Sequence, residues 1–123
     1  MQLLLKEAGL ERPIRVVPLS RNLCLTRQCL GLVSRIECSI RPLAGNNGMW
    51  TLLFAAGLAG EQPSTIKAQG PFPGPFVAET ILESIVESLT LHGYRLADDP
   101  QIWCLHVQAQ LRQINGGRCS ASH

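Results

Sequence analysis

The chain has 123 residues, 46% of them hydrophobic and 16% charged, which suits one ordinary globular domain and excludes a disordered chain. Its longest uncharged apolar run, residues 49–60, is well short of the roughly 20 residues a membrane helix needs, so no transmembrane span is expected. The formal charge of +2 hides an uneven spread: residues 1–60 hold seven basic and three acidic side chains, the remainder four and six, and nine of the eleven cations are arginine.

The amino terminus, Met-Gln-Leu-Leu-Leu-Lys-Glu, has no basic leader and breaks its apolar run with charge at once. No signal peptide is visible in it, and the cytoplasm is the expected compartment. Residues 2–10 fit a short helix, and residues 12–18, with Ile14 and Val16 alternating between flanking prolines, fit a strand at a sheet edge. Residues 20–28 mix arginines, leucines and polar residues without a clear period and read as a loop.

Residues 30–43 give a clear strand, with Leu32, Ile36, Cys38 and Ile40 on one face and Arg35, Glu37, Ser39 and Arg41 on the other. Ala44-Gly45-Asn46-Asn47-Gly48 is dense turn chemistry and predicts a hairpin to a strand over 49–58. That second strand is apolar on both sides, so it should be covered twice, by something beyond a single helix. Residues 59–74, rich in Gly, Pro, Gln and Ser, read as a loop crossing from sheet to helix.

The strongest pattern lies over 75–92. Val77, Ala78, Ile81, Leu82, Ile85, Val86 and Leu89 make one apolar stripe at helical spacing, with Glu79, Glu83 and Glu87 as an acidic line on the other side. Pro75 suits the first helical position and Gly93 the left-handed residue past the end. Tyr94-Arg95-Leu96 is a short extended piece and residues 97–100 a turn. Residues 102–112 alternate Trp103, Leu105, Val107, Ala109 and Leu111 with His106, Gln108, Gln110 and Arg112, which predicts a closing strand. Residues 1–115 then form one domain and 116–123 a flexible tail. Leu82, Ile85, Trp103, Leu105 and Phe54 should share the core.

This order predicts an α+β fold: an antiparallel sheet of about four to five strands packed on one face by one long amphipathic helix, a two-layer sandwich. It resembles, at the level of fold alone, the small helix-and-sheet chaperones of type III secretion, a likeness that implies pairing as dimers and carries no family membership.

The chemistry-bearing residues do not assemble into a recognisable constellation. Cys24, Cys29, Cys38, Cys104 and Cys119 are odd in number and lack paired metal spacing, so reduced thiols with no metal are expected. Cys104 and His106, two apart on a strand, would sit about 6–7 Å from each other, too far for a thiol and its base. His92 suits a helix end, and Asp98-Asp99 before Pro100 suits a turn. No catalytic residue and no cofactor is predicted.

The leading expectation is a small non-catalytic interaction protein, an adaptor, chaperone-like partner or regulator acting as a homodimer, with a protein or itself as partner. A nucleic-acid module with an arginine-bearing sheet face is the second reading, and a small enzyme the third. The expected binding surface is the sheet face turned away from the helix: Arg35, Arg41, Leu53, His106, Gln108, Gln110 and Arg112, a polar rim around an apolar strip. The competing expectation is that the amino-terminal segment covers this strip.

Overall fold

Alternation of apolar side chains builds a sheet with two buried faces. The computed structural model describes residues 21–121 apart from Asn46 and Asn47; the helix expected over 2–10 and the strand over 12–18 lie outside the described residues. Strands β1 (Arg21–Cys29), β2 (Leu32–Pro42), β3 (Trp50–Leu58) and β4 (Thr65–Phe72) form a meander, followed by helix α1 (Pro75–Leu91), strand β5 (Arg95–Ala97) and helix α2 (Cys104–Ala121). All neighbours are antiparallel, in the order β4-β3-β2-β1-β5.

The fold is α+β with an antiparallel five-stranded sheet, but a helix packs on each face instead of one helix on one face. The register aligns Leu25 with Ile36, and Cys38 with Phe54, on the face under α1. There Leu25, Cys38, Ile40 and Leu52 join Ala78 and Leu82 in one buried cluster. The opposite face aligns Ser39 with Leu53 and Glu37 with Ala55, and Leu53 and Ala55 pack with Trp103 and Val107 of the α2 side. The doubly apolar β3 is therefore covered twice, by α1 and α2.

The strand expected over 102–112 is a helix. Its residues carry two periods at once: Trp103, Val107, Leu111 and Ile114 recur at steps of four, four and three, and this set packs against the sheet. Helical spacing wins because those four bury together, whereas the alternating reading would bury Leu105, which is 78% exposed. Phe54 packs with Leu82 and Ile85 of α1 on one sheet face, while Trp103, just before α2, packs on the other, so the expected single core is two. The helix also takes in Asn115-Gly116-Gly117 and continues to Ala121, through the residues read as a tail. The element order behind the likeness to type III secretion chaperones changes accordingly.

Two further segments read as loops are strands. β1 is flanked by β2 and β5, with Leu23 and Leu25 on one face and Cys24 on the other packed inward, so its two-sided burial blurs the period. β4 is an edge strand whose residues from Lys67 to Pro71 are exposed, so no apolar alternation marks it. Helix α1 starts at Pro75 and stops where Gly93, at φ 95°, turns the chain left-handed; Tyr94 N–H then closes on Leu89 O at 3.0 Å. Glu79 departs from the expected exposed acidic line and is buried, while Glu83 and Glu87 are exposed. Among the described residues no helix is long and apolar enough to cross a membrane.

Leu82→Ala should cost about 2–5 kcal/mol in urea denaturation, and Leu105→Ala less than about 0.5 kcal/mol; equal losses would mean that the closing segment is a strand after all. Cys38 offers a pH test. Burial, and then the neighbouring Cys24 and Glu37, push its thiol from 9.0 up to about 12. Above the unfolded value the unfolded chain releases a proton that the folded chain keeps, so this contribution is whole below 9.0 and falls as pH rises toward 12. Denaturation at alkaline pH should therefore show the parent losing stability more steeply than Cys38→Ala, by up to about 1.4 kcal/mol per pH unit; parallel slopes would refute the buried thiol.

Candidate functional site

The sheet face turned toward α2 carries a buried ion pair. Arg35 and Glu37 sit two apart on β2 and so project to the same side, where they are 4% and 0% exposed. Arg35 Nε donates to Glu37 Oε2 at 2.7 Å, while its two terminal nitrogens reach Asp99 Oδ2 at 3.5 Å and Pro100 O at 2.6 Å. The carboxylate of Glu37 also accepts the backbone N–H of Ile102 at 2.8 Å and of Trp103 at 3.1 Å. Trp103 O takes the first bond of the helix, from Val107 N–H, so Glu37 is an anion at the amino end of α2, where the helix dipole favours it. Further along α2, Asn115 Oδ1 accepts Ala44 N–H at 2.8 Å and ties the helix to the segment after β2.

This arrangement is a structural clamp with its donors and acceptors spent on one another. It answers where the expected surface residues lie. Arg35 is in the clamp, and Leu53 is fully buried beneath α2, so the face is closed by α2 and the strip is interior. Arg41 is half-buried near the end of β2; His106 and Gln110 are half-buried on α2, and Gln108 and Arg112 are exposed on it. The seven residues thus divide between a sheet and the helix lying over it. Cys104 and His106 stand two apart on the helix, a spacing that does not bring side chains face to face, Cys104 exposed and His106 with a buried Nδ1 that has no partner among the described residues. Burial raises the Cys24 thiol, an effect that Arg35 opposes and Glu37 and Asp99 reinforce. Among the described residues no group of three His, Cys, Asp or Glu is placed to hold a metal ion.

A different region gathers features that sequence reasoning passed over. At the end of the sheet where α1 stops, Arg27 on β1 donates from Nη1 to His92 O at 3.1 Å and lies over the Tyr94 ring at 4.8 Å from its centroid. A cation at a helix carboxyl end and over an aromatic face is favoured twice. A Cβ on Gly93 would stand 3.3 Å from Arg27 Cδ, so glycine there both permits the positive φ and admits the arginine stem. Beside it a cavity of about 410 Å³ is lined by Thr26, Arg27, Gln28, Gly93 and Arg95. A second cavity, about 480 Å³, includes Ser34, Arg35, Gly57, Glu61 and Tyr94.

The same end exposes leucines. β1 and β2 are joined by Leu30-Gly31, with φ 54° and 80°, a two-residue turn of the I′ kind. Leu30 is 96% exposed there, Leu91 at the end of α1 83%, and Leu96 on the edge strand β5 60%. The signal that could have found this region is the Cys29-Leu30-Gly31-Leu32 turn, where a leucine stands in place of the usual Asn or Asp before glycine.

Glu37→Ala should cost about 3–5 kcal/mol, because it strands the buried Arg35 and uncovers two amides, and amide hydrogen exchange in the first turns of α2 should accelerate beyond that in α1. Protection that falls equally in both helices would mean that the pair does not anchor α2.

Comparison with known proteins gives one finding. No curated protein and no solved structure matches the chain. Residues 19–123 match the model of the PA4575-like protein family, a span that includes every strand and helix described above, and the chain belongs to that family.

Proposed function

We propose that this protein is a non-catalytic interaction protein that works as a homodimer, associating through the end of the molecule that carries Leu30, Leu91 and Leu96. The observation that carries the reading is Leu30. A left-handed conformation costs a residue with a Cβ roughly 1–2 kcal/mol, and an apolar side chain at 96% exposure gains nothing from burial to offset it. Local rules are broken in this way where a surface is used for something other than folding.

The occupant is a second copy of the chain because the surface bears both signs of charge. Glu83, Glu87 and Leu91 follow one another at four-residue steps along the exposed side of α1, while Arg95 is exposed beside Leu96 on β5. A two-fold axis that brings the leucines together can set the acidic helix face of one protomer against the arginine of the other, which is the self-complementarity an isologous interface needs. Leucines at the centre and charges at the rim match the usual anatomy of such contacts.

Size-exclusion with light scattering tests the reading. The parent should be dimeric and weaken with salt, as rim charges are screened. Leu30→Asn restores Asn-Gly to the turn and should give a monomer with a denaturation midpoint equal to or above that of the parent. Leu91→Asp should also give a folded monomer. A monomeric parent, or a Leu30→Asn variant that keeps the dimer mass, would overturn the assignment.

A further inference from the structure

Strand β4 is an outer edge of the sheet, with no strand beyond it among the described residues, and its backbone has hydrogen bonds to offer there. Which groups these are follows from the register. Ala59 N–H donates to Val33 O and Leu43 N–H to Met49 O, so the odd-numbered positions of β3 bond to β2, and Leu52, Phe54 and Ala56 turn their backbone groups toward β4. Opposite them stand Gln69, Lys67 and Thr65, which leaves the N–H and C=O of Ile66 and Ala68 directed outward. The same strand divides its side chains by face. Lys67, opposite Phe54, is on the α1 side, exposed and without an ion-pair partner among the described residues. Ile66 and Ala68, opposite Ala55 and Leu53, are on the α2 side, where Ile66 packs at the half-buried margin of the second core with Leu111 and Ile114.

We propose that β4 is a docking edge for an extended segment of another protein, added as a further antiparallel strand, with an acidic residue opposite Lys67 and an apolar residue on either side of it. A second copy of the chain does not fit. A two-fold axis that pairs Ile66 with Ala68 sets Lys67 against its own counterpart, a like-charge contact that deters edge-to-edge pairing. Moving the axis to Ile66 pairs Ala68 with Ser64, whose N–H is already spent on Ala56 O, and moving it to Ala68 pairs Ile66 with Gly70, whose φ of 125° departs from a strand. A foreign strand meets none of these limits. Its backbone takes the outward groups of Ile66 and Ala68, its apolar residues cover the margin formed with Leu111 and Ile114, and its acid meets Lys67 at the close, non-hydrogen-bonded position. The main chain then supplies affinity and the alternating side chains supply the choice of partner. Because β4 and the leucine-bearing β5 are opposite edges of the sheet, this site does not rest on the self-association proposed above.

The test follows the backbone amides of Ile66 and Ala68 by NMR while the full-length protein is titrated with an end-blocked peptide of alternating threonine and valine that carries one central glutamate, or a lysine in its place. It is run in the parent and in Leu30→Asn, so that self-association can fail or hold without altering the readout. Saturable shifts and slowed hydrogen exchange at both amides are expected, with the glutamate peptide binding about fivefold or more tightly than the lysine peptide, as reversing a cross-strand charge contact implies. Lys67→Glu, a change at an exposed side chain, should invert that preference. Ala68→Pro removes an outward N–H and no bond to β3, and should abolish binding. Equal affinity for the two peptides, a preference that Lys67→Glu leaves unchanged, or no saturable shift in either background would overturn the proposal. Protection of both amides before any peptide is added would overturn it too: protection that rises with protein concentration assigns the edge to a second copy, and protection at every concentration means that the chain covers the edge itself.

Discussion

The carboxylate of Glu37 is the contact on which the arrangement of layers depends. It is fully buried, so its charge must be met by partners, and it finds them in one arginine of its own strand and two amides from the start of another element. Those amides cannot reach it unless the chain after β5 crosses the sheet and begins a helix there. A buried ion pair is a weak source of net stability, because desolvating both charges cancels most of their attraction. What it supplies here is a fixed place for α2 to begin, and Trp103 adds to that placement by donating its indole N–H to Glu61 O at 2.8 Å. One polar contact thus fixes where the second covering layer of β3 begins.

The legibility of each element in the sequence follows how one-sided its burial is. Helix α1 and strands β2 and β3 could be read because each has a face whose residue types differ from those of its opposite, or a run too apolar to be anything but central. The hairpin chemistry at 44–48 and the Gly93 stop were legible for the same local reason, since they depend on backbone demands and not on neighbours. β4 was hidden because an exposed edge leaves no pattern, and β1 because both of its sides are covered. α2 was misread for a subtler cause. Trp103, Val107 and Leu111 satisfy a period of two and a period near four together, so the choice lay with Leu105 and Ala109, whose exposure only the fold determines.

That misreading carried over to the surface. With residues 102–112 as a strand, His106, Gln108, Gln110 and Arg112 joined Arg35 and Arg41 on one open face; as a helix they turn around an axis and their carrier shuts the face instead. Charge gave no warning, because an arginine and a glutamate two apart on a strand look the same in sequence whether they are solvated or paired in the interior. The excess of arginine in the amino-terminal half is partly accounted for by such internal duties: Arg35 holds the clamp, and Arg27 closes α1.

The two arginines at the far end of the sheet differ in how far they are committed. Arg27 is committed, with a carbonyl, a ring and a glycine arranged around it, and moving it would loosen the end of the principal helix. Arg95 is uncommitted, on a strand of three residues that ends level with Thr26. A longer β5 would have continued alongside Arg27 and filled the gap with backbone. Because Gly93 turns the chain so close to Arg27, the strand cannot begin earlier, and the geometry that ends α1 also leaves the outer edge of β1 open past Thr26. The open edge of β1 past Thr26 is therefore a consequence of one helix terminus, since the Gly93 turn that ends α1 also sets where β5 can begin.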